Sequence, residues 1–295
     1  MKVWLTGENG LLGSALRDRL RSLRISHTAT GRELDVADAA RVLEFARNER
    51  PTHIVNAAAY TKVDDAESHE SEALRTNAFG PEHLARAAAE LGAQFAHFST
   101  DYVFSGAACE PYVESAATGP TGAYGRTKLA GEERVLAVPG AQQLAYVIRT
   151  SWLFGDHGPS FPKTIARACL EKDELRVVAD QRGRPTYAGD LADATLELLG
   201  VGSAGTPAAA GVYHFANAGE TTWHGLAEAV RETLLRLGKP VKAKRIVAVT
   251  TAEYPRPAAR PSYSVLDTQK LEAALGRAPR HHREPLAEFL ARLAL

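Results

Sequence analysis

Cysteine is nearly missing from this sequence. Its 295 residues hold two, Cys109 and Cys169, neither of them in a Cys-x-x-Cys. That excludes a structural zinc site, which needs more ligands at close spacing, and a disulfide-stapled scaffold; the expectation is two buried free thiols in a reducing cytoplasm. Charge of one sign is missing too: 35 Lys and Arg stand against 35 Asp and Glu. A nucleic-acid binder draws its affinity from basic side chains that neutralise phosphates, so nucleic acid is not an expected partner. No segment approaches the ~18 apolar residues that cross a bilayer, and the opening MKVWLTGENG is broken by Gly7, Glu8 and Asn9 well short of a signal-peptide core. A membrane is therefore not expected and a cytoplasmic location is. What remains is ordinary globular composition, 45% hydrophobic and 24% charged, in a length that suits one large α/β domain or a domain plus a smaller lobe.

Short β-rich apolar runs alternate with longer helical patterns, the signature of a parallel sheet covered by helices. Val3 to Thr6 reads as a first strand, followed by a glycine-rich turn and a helix from Leu11 to Arg24. Ser26 to Thr30 is a short second strand. Asp38 is placed to cap a helix through Arg50 that Pro51 ends, before a third strand over His53 to Asn56. A helix over 82–91 closes at Gly92, Gln94 to Ser99 is the fourth strand, a helix begins near Pro120, and Ala145 to Arg149 is the fifth strand. The predicted fold is a Rossmann-like doubly wound parallel sheet in residues 1–150. Residues 151–295 form mainly a smaller C-terminal substrate-binding lobe, with some segments returning to the sheet. Val201 to Gly211 is predicted as a surface loop.

Gly7-x-x-Gly10-x-x-Gly13 falls between the first strand and first helix. Glycines there let backbone N–H groups approach a pyrophosphate, and the helix N-terminus adds about half a unit of positive charge. Alone, three glycines near a turn are weak evidence; directly after an N-terminal strand they indicate a dinucleotide site. At the end of the second strand an acid would hold the ribose hydroxyl of NAD, whereas an Arg suits the 2′-phosphate of NADP. Thr28-Ala29-Thr30-Gly31-Arg32 supplies Arg32 first, which favours NADPH and leaves NADH as the alternative.

Tyr124 and Lys128 form a Tyr-x-x-x-Lys, one helical turn apart on one face. A neighbouring ammonium favours the phenolate and lowers the phenol's ordinary pKa of about 10, so the pair makes a proton relay. With nine tyrosines and nine lysines, such a spacing arises by chance about 0.3 times in a chain of this length. Its weight comes from company: Ser99-Thr100-Asp101-Tyr102 ends the fourth strand, where a doubly wound sheet places its site, and Asn56-Ala57-Ala58-Ala59 ends the third with small residues.

GxxGxxG, Asn-Ala-Ala, Ser-Thr and YxxxK in this order resemble the extended, nucleotide-sugar branch of the short-chain dehydrogenase/reductase superfamily. VNAAAYTKVD at 55–64, STDYVF at 99–104, RTSW at 149–152, DQRGRPT at 180–186 and RPSYSVLD at 260–267 narrow the resemblance, over nearly the whole chain, to the dTDP-4-dehydrorhamnose reductase family. The resemblance implies NADPH-dependent reduction of the C4 ketone of dTDP-4-dehydro-6-deoxy-L-mannose to dTDP-L-rhamnose. It makes Tyr124 the proton donor, Lys128 the residue that binds the nicotinamide ribose and tunes Tyr124, and Thr100 the hydrogen-bond donor to the reacting carbonyl. Asp101 and Trp152 would contact the sugar nucleotide. Gly10, Leu11, Leu12, Asp35, Val36, Ala59, Tyr60 and Thr61 would line the cofactor, beside Gly7, Gly13 and Arg32. The chain departs from the family pattern at Ser105, where Asp is frequent, and at Tyr60, where His is.

Related dehydratases carry an Asp-Glu pair after the threonine, and here Asp101-Tyr102 lacks the second carboxylate; another nucleotide-sugar reductase or an epimerase of the superfamily is the alternative. A regulatory subunit, as in methionine adenosyltransferase, would bind dinucleotide without turnover, which the intact Thr100, Tyr124 and Lys128 set argues against. The expected partners are a sugar nucleotide and, in assembly, a second copy of the chain as a homodimer. No metal site is expected: His281-His282 reads as a solvated pair, His53, His97 and His214 as core or edge residues, and Trp223 as core. Trp152, after a strand end, is predicted to expose an indole for stacking on a sugar or base.

Overall fold

Val3–Thr6 (β1) is apolar at its first three positions and buried at all four, as expected of a strand covered on both faces. The computed structural model describes residues 1–202 and 205–294. Around β1 lies a six-stranded parallel sheet. Its members are His27–Thr30 (β2), His53–Asn56 (β3), Gln94–Thr100 (β4), Ala145–Thr150 (β5) and Gly211–Phe215 (which is β10), in the order β10-β5-β4-β3-β1-β2. β1 pairs with β2 on one side and β3 on the other, so the strand order reverses there. The register aligns the carboxyl ends: Thr6 stands opposite both Thr30 and Asn56, and Thr100 opposite Thr150. In such a sheet ligands bind beyond that edge.

Alternate residues of each strand serve opposite faces. Val3, Leu5 and Ile148 join Leu12, Leu16 and Leu20 of helix Leu11–Ser22 (α1) in one core. Trp4, Ile54 and Val147 join Val42 and Ala46 of Ala39–Glu49 (α2) in the other. α2 begins where the sequence indicates, with the Asp38 side chain accepting from Arg41 N at 3.1 Å. Leu84 and Ala88 of Gly80–Leu91 (α4) complete this second core with Val135 of Ala123–Ala137 (α5).

The helix expected over 82–91 begins much earlier. Glu70–Leu74 (α3) runs through a π-helical turn, Arg75–Phe79, directly into α4. Gly80-Pro81 reads as a helix start because proline offers no N–H, yet the chain enters it already helical. The π turn aims Asn77 into the protein interior, a geometry common at functional sites.

Past β5 come Leu153–Phe154 (β6), Phe161–Glu171 (α6), Glu174–Val178 (β7), Arg182–Gly183 (β8) and Thr186–Tyr187 (β9). Ala188–Leu198 (α7) then returns to the sheet and packs on α1, with Leu191 and Leu198 in the first core, and β10 pairs with β5. Thr221–Thr222 (β11), Trp223–Arg236 (α8), Arg245–Val249 (β12) and Arg283–Arg292 (α10) finish the lobe, while Gln269–Leu275 (α9) packs on β10 and α7 with Leu271 in the first core. β12 pairs with β7, and a third core of Phe154, Ile165, Leu226, Val230, Leu286 and Phe289 holds α6, α8 and α10 together. Of the predicted 201–211 loop, residues 203 and 204 lie outside the described residues; Val201 is buried in the first core and Gly211 opens β10.

Two further readings are corrected. Cys109 is exposed, because it lies in the irregular segment after Val103, while Cys169 is buried in α6. His282 is not solvated: its ring is buried with Nδ1 3.1 Å from the carbonyls of Ala218 and Gly219, and burial holds its pKa down at about 4.

Candidate active site

The turn after β1 is shaped by contact. Gly7 has φ +70°, and a Cβ there would fall 2.5 Å from Ala58 N; one on Gly13 would fall 2.0 Å from Gly7 O. Both positions require glycine for close approach. The start of α1 is open to an anion: Gly10 provides no side-chain cap and the first turn carries no acid, whereas α2 and α8 are closed by Asp38 and Thr222. Leu12 is buried, so it offers its backbone only. Arg32 is exposed just past β2, where Gly31 N donates to Glu33. Asp35 is exposed and accepts from Arg75 at 3.1 Å, and Val36 is buried against Gly80.

After β3 the chain runs out over the sheet edge through Ala59, Tyr60 and Thr61, and Asn77 pins it there. Tyr60 N donates to Asn77 Oδ1 at 2.8 Å, and Asn77 Nδ2 donates to Tyr60 O and to Thr127 Oγ1, each at 3.1 Å. The last contact ties this loop to α5 one residue before Lys128. Sequence reasoning missed Asn77; its one signal is that it precedes an Ala-Phe-Gly-Pro run that reads as a helix break.

α5 is seated by two glycines. A Cβ on Gly125 would fall 2.2 Å from Tyr102 O, and one on Gly131 2.1 Å from Asn77 O. The tight seat brings Tyr124 and Lys128 over the end of β4. The Tyr124 ring meets Tyr102 edge-on at 5.7 Å. Lys128 is buried, and its Nζ donates to Phe98 O at 2.6 Å and stands 3.5 Å from His97 Nε2. Thr100 Oγ1 donates to Asp101 Oδ1 at 3.0 Å.

The electrostatics differ in one respect from the relay reading of the sequence. Burial, reinforced by Asp101, pushes the Tyr124 phenol up to about 12, against the pull of the Thr100 hydroxyl. The ammonium does not draw it below the ordinary value. Tyr124 therefore stays protonated throughout the neutral range, the form needed for donating a proton. Burial lowers the Lys128 amine to about 8 while Glu132 pulls the other way, and burial raises Asp101 to about 6 against its hydrogen bonds. Ser99 Oγ and Asp101 Oδ2, both buried at this strand end, have no partner among the described residues. Unsatisfied buried polar atoms are rare, and these are what a bound ligand would satisfy.

Next to Tyr102 opens a cavity of about 530 Å³ between the sheet edge and the lobe, lined by Asp64, Gln181, Trp223, Arg176, Arg256 and Arg260 among others. Asp64 accepts from Arg260 at 2.9 Å across it. Trp152 is half-buried at φ +48°, with one ring face stacked on Trp223 at 3.7 Å and the ring packed close against Gly183. It is not the free stacking surface predicted. Trp223, predicted as core, packs half-buried against the third core and also lines the cavity. A smaller cavity of about 330 Å³ beside α1 and α7 contains none of the predicted site residues.

The RmlD substrate binding domain model matches residues 1–295. The chain belongs to the dTDP-4-dehydrorhamnose reductase family. A reductase of that name from Streptomyces griseus is 43% identical over 287 residues, covering 97% of this chain and 92% of its own. Among solved structures, the family member from Clostridium acetobutylicum is 36% identical with a TM-score of 0.88, covering 98% of each chain. The Bacillus anthracis member, solved in complex with NADP, is 33% identical with a TM-score of 0.89, covering 99% of each.

Within the dTDP-4-dehydrorhamnose reductase family fold, then, most of the predicted residues fall into two groups, with Trp152 apart after β5. Gly7, Gly10, Gly13, Ala59, Tyr60, Thr100, Asp101, Tyr124 and Lys128 gather along the carboxyl edge of β1, β3 and β4. Arg32, Asp35 and Val36 lie at the far end of the same edge, after β2.

Proposed function

We infer that this chain is an NADPH-dependent reductase that converts the C4 ketone of dTDP-4-dehydro-6-deoxy-L-mannose to the hydroxyl of dTDP-L-rhamnose. The observation that carries the reading is the convergence of Tyr124, Thr100 and Lys128 beside a cavity of nucleotide size. Tyr102 belongs to both, since it touches Tyr124 and lines the cavity. The glycine turn and the uncapped α1 are suited to the pyrophosphate of the dinucleotide, and the exposed Arg32 guanidinium to a ribose 2′-phosphate. Arg256 supplies positive charge for the substrate diphosphate, beside Arg176 and Arg260, which pair with Glu253 and Asp64, and Trp223 an aromatic face for its base.

When bound, NADPH supplies the hydride. Tyr124 holds the ketone oxygen by donating its hydroxyl hydrogen to it, and Thr100 joins it once its hydroxyl turns from Asp101 to the substrate. As the carbonyl electron pair moves onto that oxygen, Tyr124 gives up its phenolic proton, forming the alcohol and leaving a phenolate. The Lys128 ammonium, one turn along, stabilises that phenolate until water reprotonates it. An elimination chemistry would need a second carboxylate after Asp101, where the chain has Tyr102.

The test is loss of reduced-nicotinamide absorbance with the keto sugar nucleotide, run beside Tyr124→Phe. Wild-type turnover to the rhamnose product, with the variant down by 10²-fold or more, is the expected result. Binding of dinucleotide without turnover, or a fully active variant, overturns it. We read the enzyme as cytoplasmic, in keeping with the absence of any described helix long and apolar enough to cross a membrane, and as a homodimer. A single sedimenting species near the 31.7 kDa of one chain would refute the dimer.

A further inference from the structure

We propose that Asn56 locks His97 in one tautomer, and that this makes His97 a positioning residue which sets the proton affinity of Lys128. The inference deepens the reductase reading and rests on it for its kinetic arm. Asn56, the last residue of β3, is buried, and its Oδ1 faces two groups: Thr6 Oγ1 at 2.7 Å and Ala58 N at 3.1 Å. A backbone N–H can only donate, so the amide atom facing it is the oxygen. The other amide atom is therefore the NH₂, 3.1 Å from His97 Nδ1. An amide NH₂ can only donate as well, so Nδ1 accepts. His97 is completely enclosed, with burial and Lys128 both holding it neutral. A neutral ring whose Nδ1 accepts carries its hydrogen on Nε2.

That N–H faces Lys128 Nζ at 3.5 Å. An ammonium meets no acceptor there, whereas a free amine offers its lone pair to the hydrogen. The opposite tautomer would present a lone pair to the ammonium and reverse the sign. The other charged or titratable groups around Lys128 are Tyr124 one turn before it, Glu132 one turn after it and Asp101 beyond the end of β4; Arg149 occupies the Glu132 carboxylate. Glu132 and the Phe98 carbonyl favour the ammonium, and burial and the His97 N–H oppose it. The balance leaves Lys128 near 8 while Tyr124 stays near 12. Of the two, Lys128 is thus the group that changes protonation close to the working pH, and it sets the alkaline limb of activity.

Two measurements test this. The ring ¹⁵N spectrum of the full chain, with His97 assigned by its loss in His97→Phe, reports the tautomer without any need for turnover. We expect an unprotonated Nδ1 in the wild type. In Asn56→Asp a carboxylate replaces the NH₂ and the hydrogen should move to Nδ1. The second measurement is the pH profile of kcat/KM with NADPH: in His97→Phe, which keeps the ring volume but removes the N–H, the alkaline limb should rise by about half to one pH unit. Rescue of the wild-type limb is not expected in any variant lacking the Nε2–H. A wild-type ring protonated on Nδ1, or a tautomer unchanged in Asn56→Asp, overturns the lock; an unmoved limb in an active His97→Phe overturns its effect on Lys128. Failure of the reductase reading would instead appear as no wild-type turnover, with the spectrum intact.

Discussion

Replacing Glu132 by Gln removes the negative half of the most enclosed ion pair among the described residues. Glu132 on α5 and Arg149 on β5 have side chains only 3% and 6% exposed. Arg149 Nη2 donates to Glu132 Oε2 at 2.7 Å, and its Nε donates to both carboxylate oxygens at 2.9 and 3.1 Å. Its Nη1 donates to Glu114 O at 3.2 Å, and the guanidinium sits 5.1 Å over the Phe104 ring. The pair lies one turn past Lys128 and joins α5 to the sheet. With Gln at 132 the guanidinium keeps the Glu114 carbonyl and one amide oxygen but faces an NH₂, and no charge compensates it. Removing one partner of such a buried pair costs about 3–5 kcal/mol, a fifth or more of an ordinary domain's 5–15 kcal/mol. Urea unfolding should show the midpoint falling with the slope unchanged. The double replacement Glu132→Leu with Arg149→Leu should recover most of the loss, because apolar side chains carry no desolvation penalty. A Glu132→Gln variant within about 0.5 kcal/mol of wild type would refute the reasoning. Because Glu132 favours the Lys128 ammonium, the same variant should also lower the alkaline limb of activity.

Gly13→Ala should abolish dinucleotide binding measured by titration calorimetry, since its Cβ would overlap Gly7 O at 2.0 Å; Gly10→Ala, with 3.3 Å to the same atom, should bind measurably. Lys128→Met should be inactive yet more stable than wild type at pH 7. The amine's folded pKa of about 8 lies below its ordinary 10.5, so the unfolded chain binds the proton more tightly. The buried ammonium therefore costs stability below pH 8, and the gap between variant and wild type should close as pH rises from 8 to 10.5 in thermal melts. Arg32→Ala should raise KM for NADPH roughly 10- to 100-fold, the loss of one charge-assisted hydrogen bond, and leave NADH unchanged. Equal effects on both cofactors would remove Arg32 from the 2′-phosphate.

The first half of the fold is legible because its strands announce themselves as short β-rich runs between turn signals. His53 to Asn56, the Asp38 cap and the Gly92 stop fall where local chemistry puts them. Tyr124 and Lys128 are legible as a spacing, and Thr100 as a strand end. The remainder depends on groups far apart in sequence. Asn77 reaches Tyr60 through a widened helical turn that Pro81 disguises as a boundary. Trp152 loses its free face only because Trp223, seventy-one positions on, stacks against it. The rise of the Tyr124 phenol is likewise invisible to spacing: it comes from burial and from Asp101, against the pull of the Thr100 hydroxyl.

The return of the chain through α7 to β10 bears on biosynthesis. β5 is buried at every position, and its outer edge is covered by a strand that ends at Phe215. While the ribosome is still making residues 151–210, five strands are finished but β5 presents an unpaired row of backbone donors and acceptors, an aggregation hazard. The nascent chain cannot seal that edge until more than two thirds of it has emerged. Fragments ending near residue 150 should accordingly be recovered as insoluble material, and the gene should not be divisible at the seam between its two halves.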